Sequence, residues 1–372
     1  MTRSRTRAAM MLSLVAEAGD PRLVLWRERC DPLELWQSVV RGDAGIPDRW
    51  HDGAADAERQ AEAALRRADA VGARWVVPGS PGWPVALDDL DQLEGIGQVT
   101  GAPLGLWVRG GGDLTSIASA PIAVVGARGC TTYGAESASD IAADCADQGH
   151  AVVSGAAFGI DACAHRGALL GGGPTVAVMA CGVDVDYPRA HAALLRRIAE
   201  EGLVISEFAP GAQPQRHRFL VRNRIIAALS VGVVVVEAAG RSGSLNTLHW
   251  ADQLGRTTMA VPGPITAQAS CGTHRAIREG KALLVTSGRD VVADTFGLVD
   301  DGLPHVGPAA RRVWVRLEAE PQPAEQIASA LRLSPVAVHR ALRELQGHGV
   351  VSVTERGWSR DITRPAEPGR VG

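Results

Sequence analysis

The sequence predicts an α/β protein built around a doubly wound, parallel β-sheet. From residue 121 onward, short apolar runs alternate with segments of helical pattern, which is typical of repeated strand–helix units. The apolar runs are continuous instead of alternating with polar residues, as expected for strands that are covered on both faces. The 372 residues are 46% hydrophobic and 21% charged, a composition that supports a large core.

The first 72 residues predict a small helical domain that precedes the sheet. Asp20-Pro21 and Asp31-Pro32 each combine an N-cap residue with a proline at the first helical position. Residues 54–72 are rich in Ala, Glu and Arg and predict a further helix. Residues 76–110 contain many prolines and glycines and predict a loop-rich connection to the sheet.

The sheet region predicts seven strands and six helices. The strands are expected at 122–125, 151–153, 175–180, 203–205, 233–236, 257–261 and 283–285. The helices are expected near 134–148, 160–171, 189–201, 222–230, 244–254 and 273–280. In such sheets ligands bind where loops leave the carboxyl ends of the strands.

Those loops carry glycines and arginines, which are the residues that suit a phosphate-rich ligand. Glycines allow close backbone approach, helix N-termini present amides to anions, and guanidinium groups match phosphate oxygens. An aromatic ring beside them offers a stacking surface to an unpaired base. The candidate DNA-binding residues are Gly126, Arg128, Ser154, Gly155, Gly159, Arg216, Arg218, Phe219, Arg222, Asn223, Arg224, Ser242, Gly243 and Ser244.

Simpler interpretations of these residues stay open. The arginine-rich stretch 215–224 also fits a solvated helix start, and residues 222–224 also fit a role in buttressing the loops. His165, four residues after Asp161, suggests either an acid–base pair or a structural contact within a helix.

Composition excludes several other classes of protein. The net charge is −3, so a polyanion site must be a local patch. None of the six cysteines forms a CxxC pair, which predicts reduced thiols in a cytoplasm and no zinc site. No apolar run approaches the roughly 20 residues of a membrane span. The basic and apolar residues 3–16 resemble a secretory leader, but Glu17 in the cleavage region favours an amphipathic helix.

The C-terminal part predicts a linker at 298–310, a winged-helix domain at 311–360 and a tail at 361–372. A helical pattern at 313–317 is followed by helices near 323–331 and from 335, and by a β-wing at 350–358. Residues 311–372 hold ten arginines against seven acidic residues. This excess is modest, so contact with DNA and contact with a protein are both open for this domain.

An ordered set of motifs resembles the DprA/Smf DNA-processing family over roughly residues 75–295. The motifs are GARGCTTYG (126–134), SGAAFGID (154–161), CGVDVDYP (181–188), SEFAPG (206–211), FLVRNRIIAALS (219–230), EAAGRSGSLNT (237–247) and VPG (261–263). The resemblance implies an extended Rossmann-like domain at 73–297 and a helical domain at 1–72 of the SAM or helix-hairpin-helix kind. It also implies that Arg128, Arg216 and Phe219 belong to a positive pocket, which Arg222 to Arg224 line or support.

The same resemblance implies a function and partners. We expect a homodimer that binds single-stranded DNA, protects it and loads the recombinase RecA during natural transformation or recombination. We expect no catalytic residue, metal ion or cofactor.

Two other classes of function remain as alternatives. A Rossmann-like nucleotide phosphoribohydrolase needs a PGGxGTxxE-type motif, and residues 239–250 contain neither the Pro-Gly-Gly nor the carboxylate. A winged-helix DNA-binding regulator would leave the rim of the large sheet unexplained. A dehydrogenase is favoured less than the phosphoribohydrolase, because the dinucleotide fingerprint is missing.

Overall fold

The chain forms two compact units, residues 1–295 and residues 296–372. The computed structural model describes residues 2–117, 120–296, 310, 313, 314, 316–318, 320–331, 333–354 and 356–360. The predicted boundary between residues 72 and 73 falls inside the first unit and stays a prediction. The predicted linker, apart from Ala310, and the predicted tail lie outside the described residues.

The first unit is built on a nine-stranded, mostly parallel sheet. Its strands are β1 (Ala73–Val76), β2 (Leu106–Arg109), β3 (Ile122–Val125), β4 (Val152–Ser154), β5 (Thr175–Val178), β6 (Leu203–Ser206), β7 (Gly232–Val235), β8 (Thr257–Ala260) and β9 (Leu283–Leu284). They lie in the order β1-β2-β6-β5-β4-β3-β7-β8-β9. The seven strands from β3 to β9 are parallel, which confirms the predicted strands and their direction.

Strands β1 and β2 extend the sheet in antiparallel fashion and were missed in the sequence. β2 pairs with β6, and β1 pairs with β2. Each strand has four residues and lies among prolines and glycines, so its pattern is too short to stand out from a loop. Trp75 and Trp107 sit opposite each other on this pair, with ring centroids 4.9 Å apart.

Helices cover both faces of the sheet, as the doubly wound pattern requires. In the first unit they are α1 (Arg3–Val15), α2 (Pro21–Arg27), α3 (Pro32–Arg41), α4 (Asp48–Ala70), α5 (Leu114–Ile117), α6 (Thr132–Asp147), α7 (Ile160–Leu170), α8 (Ala192–Glu201), α9 (Arg216–Leu229), α10 (Ser244–Gln253), α11 (Cys271–Arg278) and α12 (Gly288–Phe296). Val176 and Val178 belong to an apolar cluster with residues of α9 and α10, whereas Ala177 belongs to one with residues of α4 and α8. Neighbouring residues of one strand therefore point to opposite faces of the sheet and pack into different apolar cores.

The N-terminal helices begin where their capping residues predict. The Asp20 carboxylate accepts from the Arg22 amide at the start of α2. Asp31 forms a reciprocal capping box with Glu34 at the start of α3. Helix α4 begins at Asp48, earlier than the predicted 54. None of the described helices combines the length and the hydropathy that a membrane crossing requires.

In the described part of the second unit, residues 313, 314 and 316 are helical, and two longer helices followed by a β-hairpin come after them. The longer helices are α13 (Ala324–Leu331) and α14 (Pro335–Gly347), and the antiparallel strands are β10 (Val351–Thr354) and β11 (Gly357–Arg360). Ser334 caps α14 by accepting from the Ala337 amide. Ile327, Val338 and Leu342 lie in a separate apolar core of this unit. The helices predicted near 323–331 and from 335 and the strand predicted after them are therefore present.

Candidate nucleic-acid interface

The site lies where the chain order of the sheet reverses. Strand β3 has β4 on one side and β7 on the other, so the loops after these strands diverge and open a crevice. A cavity of about 270 Å³ lies in this crevice. Its lining comes from the end of β3 and the loop after it, the β4–α7 loop and the start of α7, α9, and the β7–α10 loop with the start of α10. It consists of Val125, Gly126, Arg128, Ala157, Asp161, Arg216, Phe219, Leu220, Arg222, Asn223, Ile226, Ser242, Gly243, Ser244 and Thr247. We call this cavity the rim pocket.

Helix α9 supplies one wall of the rim pocket and begins earlier than predicted. Gln215 is its N-cap in extended conformation, so Arg216, Arg218 and Phe219 lie in the first turn instead of in a loop. The helical pattern of α9 is hard to recognise because its buried part, residues 221–229, includes the polar residues 222–224. With polar residues in the interior, the helix shows no apolar stripe.

Arg128 and Arg216 form the exposed cationic part of the rim pocket. Both side chains are exposed, and among the described residues neither has a hydrogen-bonded or paired carboxylate. The first turn of α9 contains no acidic residue, and Gln215 makes no capping hydrogen bond with its side chain. The positive end of the α9 dipole therefore adds to the two guanidinium groups in favouring an anion.

The opposite wall, at the start of α10, offers hydroxyl groups instead of free amides. The amides of Ser244, Leu245 and Asn246 donate within the turn, to Ser242 Oγ at 3.4 Å and to the carbonyl oxygens of Ser242 and Gly243 at 3.2 and 3.1 Å. The expectation of free amides at this helix start is therefore wrong. The Ser242 and Ser244 hydroxyls lie 2.8 Å apart and line the cavity.

Arg222 and Asp161 form the buried floor of the rim pocket. Arg222 is 4% exposed and donates to the Val178 carbonyl oxygen. A Cβ atom at Gly155 would overlap its guanidinium, so this glycine makes room for an internal cation. Burial raises the pKa of Asp161, and the charge of Arg222 opposes that rise. The cavity thus carries three arginines against one carboxyl group, and its net charge is positive.

Phe219 lies at the edge of the rim pocket, and its ring contacts Arg128 and Tyr187. The Arg128 guanidinium carbon lies 4.4 Å from the ring centroid, and the Tyr187 ring lies 5.7 Å away at a tilt of 48°. A base that stacks on the covered side of Phe219 must displace Arg128, or stack on the guanidinium plane itself.

Arg224 does not reach the rim pocket, which corrects its predicted role as a DNA contact. Its side chain is fully buried and donates to both Glu207 carboxylate oxygens, at 2.8 and 2.7 Å. A third hydrogen bond runs from its Nε to the Gly101 carbonyl oxygen at 3.0 Å. Arg224 therefore ties α9 to the loops around it, as the buttressing interpretation predicts.

Three other candidates shape the site without lining it. Ser154 is buried and donates to the Val124 carbonyl oxygen at 2.7 Å, so its assignment as a contact is corrected too. Arg218 stacks on Phe208 at 4.7 Å and lines a different cavity. Gly159 has φ +77° and lets the Ile160 amide reach the Ala127 carbonyl oxygen at 3.2 Å. By contrast, Asn223 lines the rim pocket and donates to the Gly243 carbonyl oxygen.

The acid–base candidate His165 has a structural role, and so has Glu237 just after β7. His165 is fully buried, its Nδ1 lies 2.7 Å from the Thr175 hydroxyl, and burial lowers its pKa to about 3. Its hydrogen bond is to Thr175 and not to Asp161, which confirms the structural alternative. Glu237 is also buried and accepts from the amide and the hydroxyl of Thr131, at 2.9 and 2.5 Å.

Sequence reasoning missed two aromatic residues beside the rim pocket. Phe158 and Tyr187 are 50% and 38% exposed. Both fall inside motifs quoted above, in a chain with only four phenylalanines and two tyrosines. That scarcity, together with their place in loops at the carboxyl ends of strands, is the signal that could have identified them.

Comparison with known proteins points to one family. The sequence profile described as "DNA recombination-mediator protein A" matches residues 74–296. The putative DNA processing protein DprA of Mycobacterium tuberculosis H37Rv is 40% identical over 355 residues, which cover 94% of this chain and 85% of the relative. The DNA processing protein DprA of Streptococcus pneumoniae R6 is 44% identical over 199 residues, which cover 54% of this chain and 69% of the relative.

Two solved structures are similar to the chain. The X-ray structure of DNA processing protein A from Streptococcus pneumoniae matches with a TM-score of 0.65 and 33% identity, over 79% of this chain and 98% of that one. The structure of the Helicobacter pylori protein, whose title describes a single-stranded DNA binding mode, matches with a TM-score of 0.50 and 26% identity. This second match covers 58% of this chain and 93% of that one.

Proposed function

The chain belongs to the DNA recombination-mediator protein A family, and we propose that it binds single-stranded DNA in the rim pocket. The observation that carries the proposal is the pair of exposed arginines, Arg128 and Arg216, which flank a cavity with an aromatic edge and have no carboxylate partner among the described residues. The single-stranded DNA binding mode of the Helicobacter pylori relative supports the same ligand class.

In this proposal the arginines supply positive charge for the phosphates, and Phe219 supplies a ring on which a base stacks. Arg128 and Arg216 bind phosphates as flexible exposed guanidinium groups, and Arg222 makes the floor of the cavity positive from within. At about 270 Å³ the cavity lies near the lower end of the range for small-ligand sites, about 300 Å³. It therefore suits one nucleotide of an unpaired strand, because a base pair is larger and hides its π-faces in the stack.

A salt series with single-stranded and duplex oligonucleotides tests the proposal. Neutralising about four phosphates of a single strand gives log K a slope near −3 against log salt, about −0.7 per phosphate. Arg128→Ala and Arg216→Ala should each weaken binding and flatten the slope by about 0.7. Phe219→Ala should cost about 1–3 kcal/mol with little change in slope, because removing a ring releases no counterions.

The controls separate binding from folding. Each variant is compared with the unmodified protein by thermal unfolding, and duplex of the same sequence should bind more weakly. Stable Arg128→Ala and Arg216→Ala proteins with unchanged affinity and slope would rule out the rim pocket as the DNA site. Loss of thermal stability in Phe219→Ala alone would show that this ring belongs to the core.

We also propose that the bound strand is protected and handed to the recombinase RecA, and that the protein acts as a homodimer. The motif resemblance and the description of the family as a recombination mediator support this step. RecA filament formation on strands coated with single-strand-binding protein should accelerate in the presence of this protein. Light scattering gives the mass of the particle, and a monomer across the working concentration range would contradict the dimer.

The second unit is proposed to be a winged-helix domain, and helices α1 to α4 a separate helical domain. The order of α13, α14 and the β10–β11 hairpin supports the first assignment, with α14 in the place of a recognition helix. The ligand of this domain, DNA or protein, stays open. Mobility-shift assays with residues 311–360 and duplex DNA test the DNA alternative.

We propose that the protein is not a nucleotide hydrolase, although one residue of the rim pocket favours that alternative. Asp161 lines the cavity with a raised pKa, as a general acid would. It is only 5% exposed, however, and the Ala157 amide donates to its carboxylate at 3.4 Å. Catalytic release of base from a nucleoside monophosphate, abolished by Asp161→Asn, would overturn this proposal.

A further inference from the structure

An exposed aromatic surface lies next to the rim pocket. The rings of Phe158 and Tyr187 project from it. Its base is formed by Ala157, Met179, Ala180 and Pro188. We call this surface the aromatic shelf. Large aromatic side chains are normally buried for much of their area, so two half-exposed rings side by side indicate a surface that binds something.

The loop that carries Phe158 is fixed in an unusual conformation. Ala156 has φ +52°, and it is the only residue other than glycine with positive φ in the part of the chain that the structure describes. The buried His191 holds this residue by a 3.0 Å hydrogen bond from its ring nitrogen Nδ1 to the Ala156 carbonyl oxygen. The same imidazole meets the Phe158 ring edge-on at a centroid distance of 4.8 Å.

This arrangement holds Phe158 in place at the surface. Left-handed backbone at alanine is strained, and such strain persists where the surrounding structure enforces it, most often at functional sites. The Phe158 ring therefore projects from a loop whose conformation is fixed. It is a pre-positioned ring that needs little ordering when a ligand binds.

The shelf and the rim pocket are continuous. Arg128 and Phe219 line both, so they form the border between the two. The Phe219 and Tyr187 rings have centroids 5.7 Å apart. Inserting a base between them needs about 7 Å, twice the contact distance of carbon atoms, so bases stack on the outer surfaces of the rings.

We propose that the aromatic shelf is a second nucleobase subsite, which stacks the base next to the nucleotide in the rim pocket. This inference rests on the proposed single-strand binding and names the residues that extend it, Phe158 and Tyr187. The Arg128 guanidinium spans the border and binds the phosphate between the two nucleotides. Because every base has a π-face, the shelf accepts any sequence.

The test compares strands with and without bases. The full-length protein and its Phe158→Ala variant are titrated with a fluorescent 20-mer of thymidine and with a 20-mer of abasic residues. Phe158→Ala should weaken the thymidine strand about 5- to 150-fold, the loss of one base–aromatic stack, and leave the abasic strand unchanged. Phe158→Trp should retain the affinity, and Phe158→Leu should not, because leucine is apolar but has no π-face.

Each remaining outcome counts against the shelf in a different way. Equal weakening of both strands would show that Phe158 supports the loop and stacks no base. Unchanged thymidine affinity in Phe158→Ala, with weakened binding and a flatter salt slope in Arg216→Ala, would overturn the shelf and leave the proposed function standing. If Arg216→Ala also binds normally, the proposed function fails too. Thermal unfolding of Phe158→Ala should match the parent, because half of this ring is in solvent.

Discussion

At the scale of single residues, burial divides arginines that the sequence shows as one cluster. Arg216 and Arg224 lie on the same helix, yet the first is exposed at the rim pocket and the second is fully buried against Glu207. A guanidinium fork can bind a phosphate or a carboxylate with the same geometry. Residue type therefore predicted an anion partner for each arginine, and only the fold decides which partner is internal.

Arg224→Ala should destabilise the protein strongly. The substitution leaves the Glu207 carboxylate inside the protein without its partner, which typically costs about 3–5 kcal/mol of the free energy of unfolding. Urea denaturation measures the loss. Arg216→Ala is the matched control from the same helix, and it should change stability by no more than about 0.5 kcal/mol while weakening DNA binding.

A double variant separates the effect of the broken ion pair from the effect of poorer packing. Arg224→Met combined with Glu207→Leu replaces both charges by apolar groups and should recover most of the stability that Arg224→Ala loses. An Arg224→Ala protein as stable as the parent would contradict the structural role given to this residue.

The residues of the site were predictable in part for a physical reason. Glycines and exposed arginines in loops after strands indicate an anion site from position and chemistry alone, and Gly126, Arg128, Arg216, Phe219, Asn223, Ser242, Gly243 and Ser244 do line the cavity. Ser154 and Arg224 were wrongly predicted as DNA contacts, because a buried hydrogen bond cannot be recognised from the sequence. Asp161 was considered only as a catalytic group, and the sequence does not show that it lines the cavity near the buried Arg222.

At the scale of elements, apolar runs identified the parallel strands. Elements without a clear run, among them β1, β2 and the first turn of α9, were not predicted. Strands covered on both faces are mostly apolar, so β3 to β8 could be recognised from the sequence. The first turn of α9 carries no such signal, because its residues are exposed or half-buried and its N-cap residue is a glutamine. At this turn a capping carboxylate and a bound anion would compete for the same positive helix end, so a strong cap conflicts with the proposed binding.

The start of α9 allows a test of that conflict. Gln215 makes no side-chain cap, so Gln215→Asp should stabilise the helix by about 0.5–2 kcal/mol, as good caps do. The same carboxylate lies beside Arg216 and at the positive end of the helix, so it should weaken single-strand binding. Gln215→Asn is the matched control, because it caps without charge and should raise stability with affinity unchanged.

Urea denaturation and fluorescence anisotropy at low salt measure the two effects. Raising the salt concentration should narrow the difference in affinity between Gln215→Asp and Gln215→Asn, since the penalty is electrostatic. Equal affinities of these two variants at low salt would show that the start of α9 does not face the bound phosphate.

At the scale of the whole molecule, the two compact units have separate apolar cores. The family match ends at residue 296, one residue beyond the end of the first unit, and every residue of the rim pocket and the aromatic shelf lies before it. The second unit has its own apolar core of α13, α14 and the hairpin. Self-contained cores imply that one unit folds without the other.

Deleting residues 306–372 should therefore leave single-strand binding largely intact. We expect a decrease in affinity below tenfold, which is about 1.4 kcal/mol. The slope of log K against log salt should also stay the same, because both exposed arginines of the rim pocket remain. If the second unit neutralised phosphates of the strand, the deletion would flatten the slope by about 0.7 for each of those phosphates. A decrease beyond tenfold with a flatter slope would make the second unit a main DNA-binding surface, whereas a decrease with an unchanged slope would point to an effect through assembly.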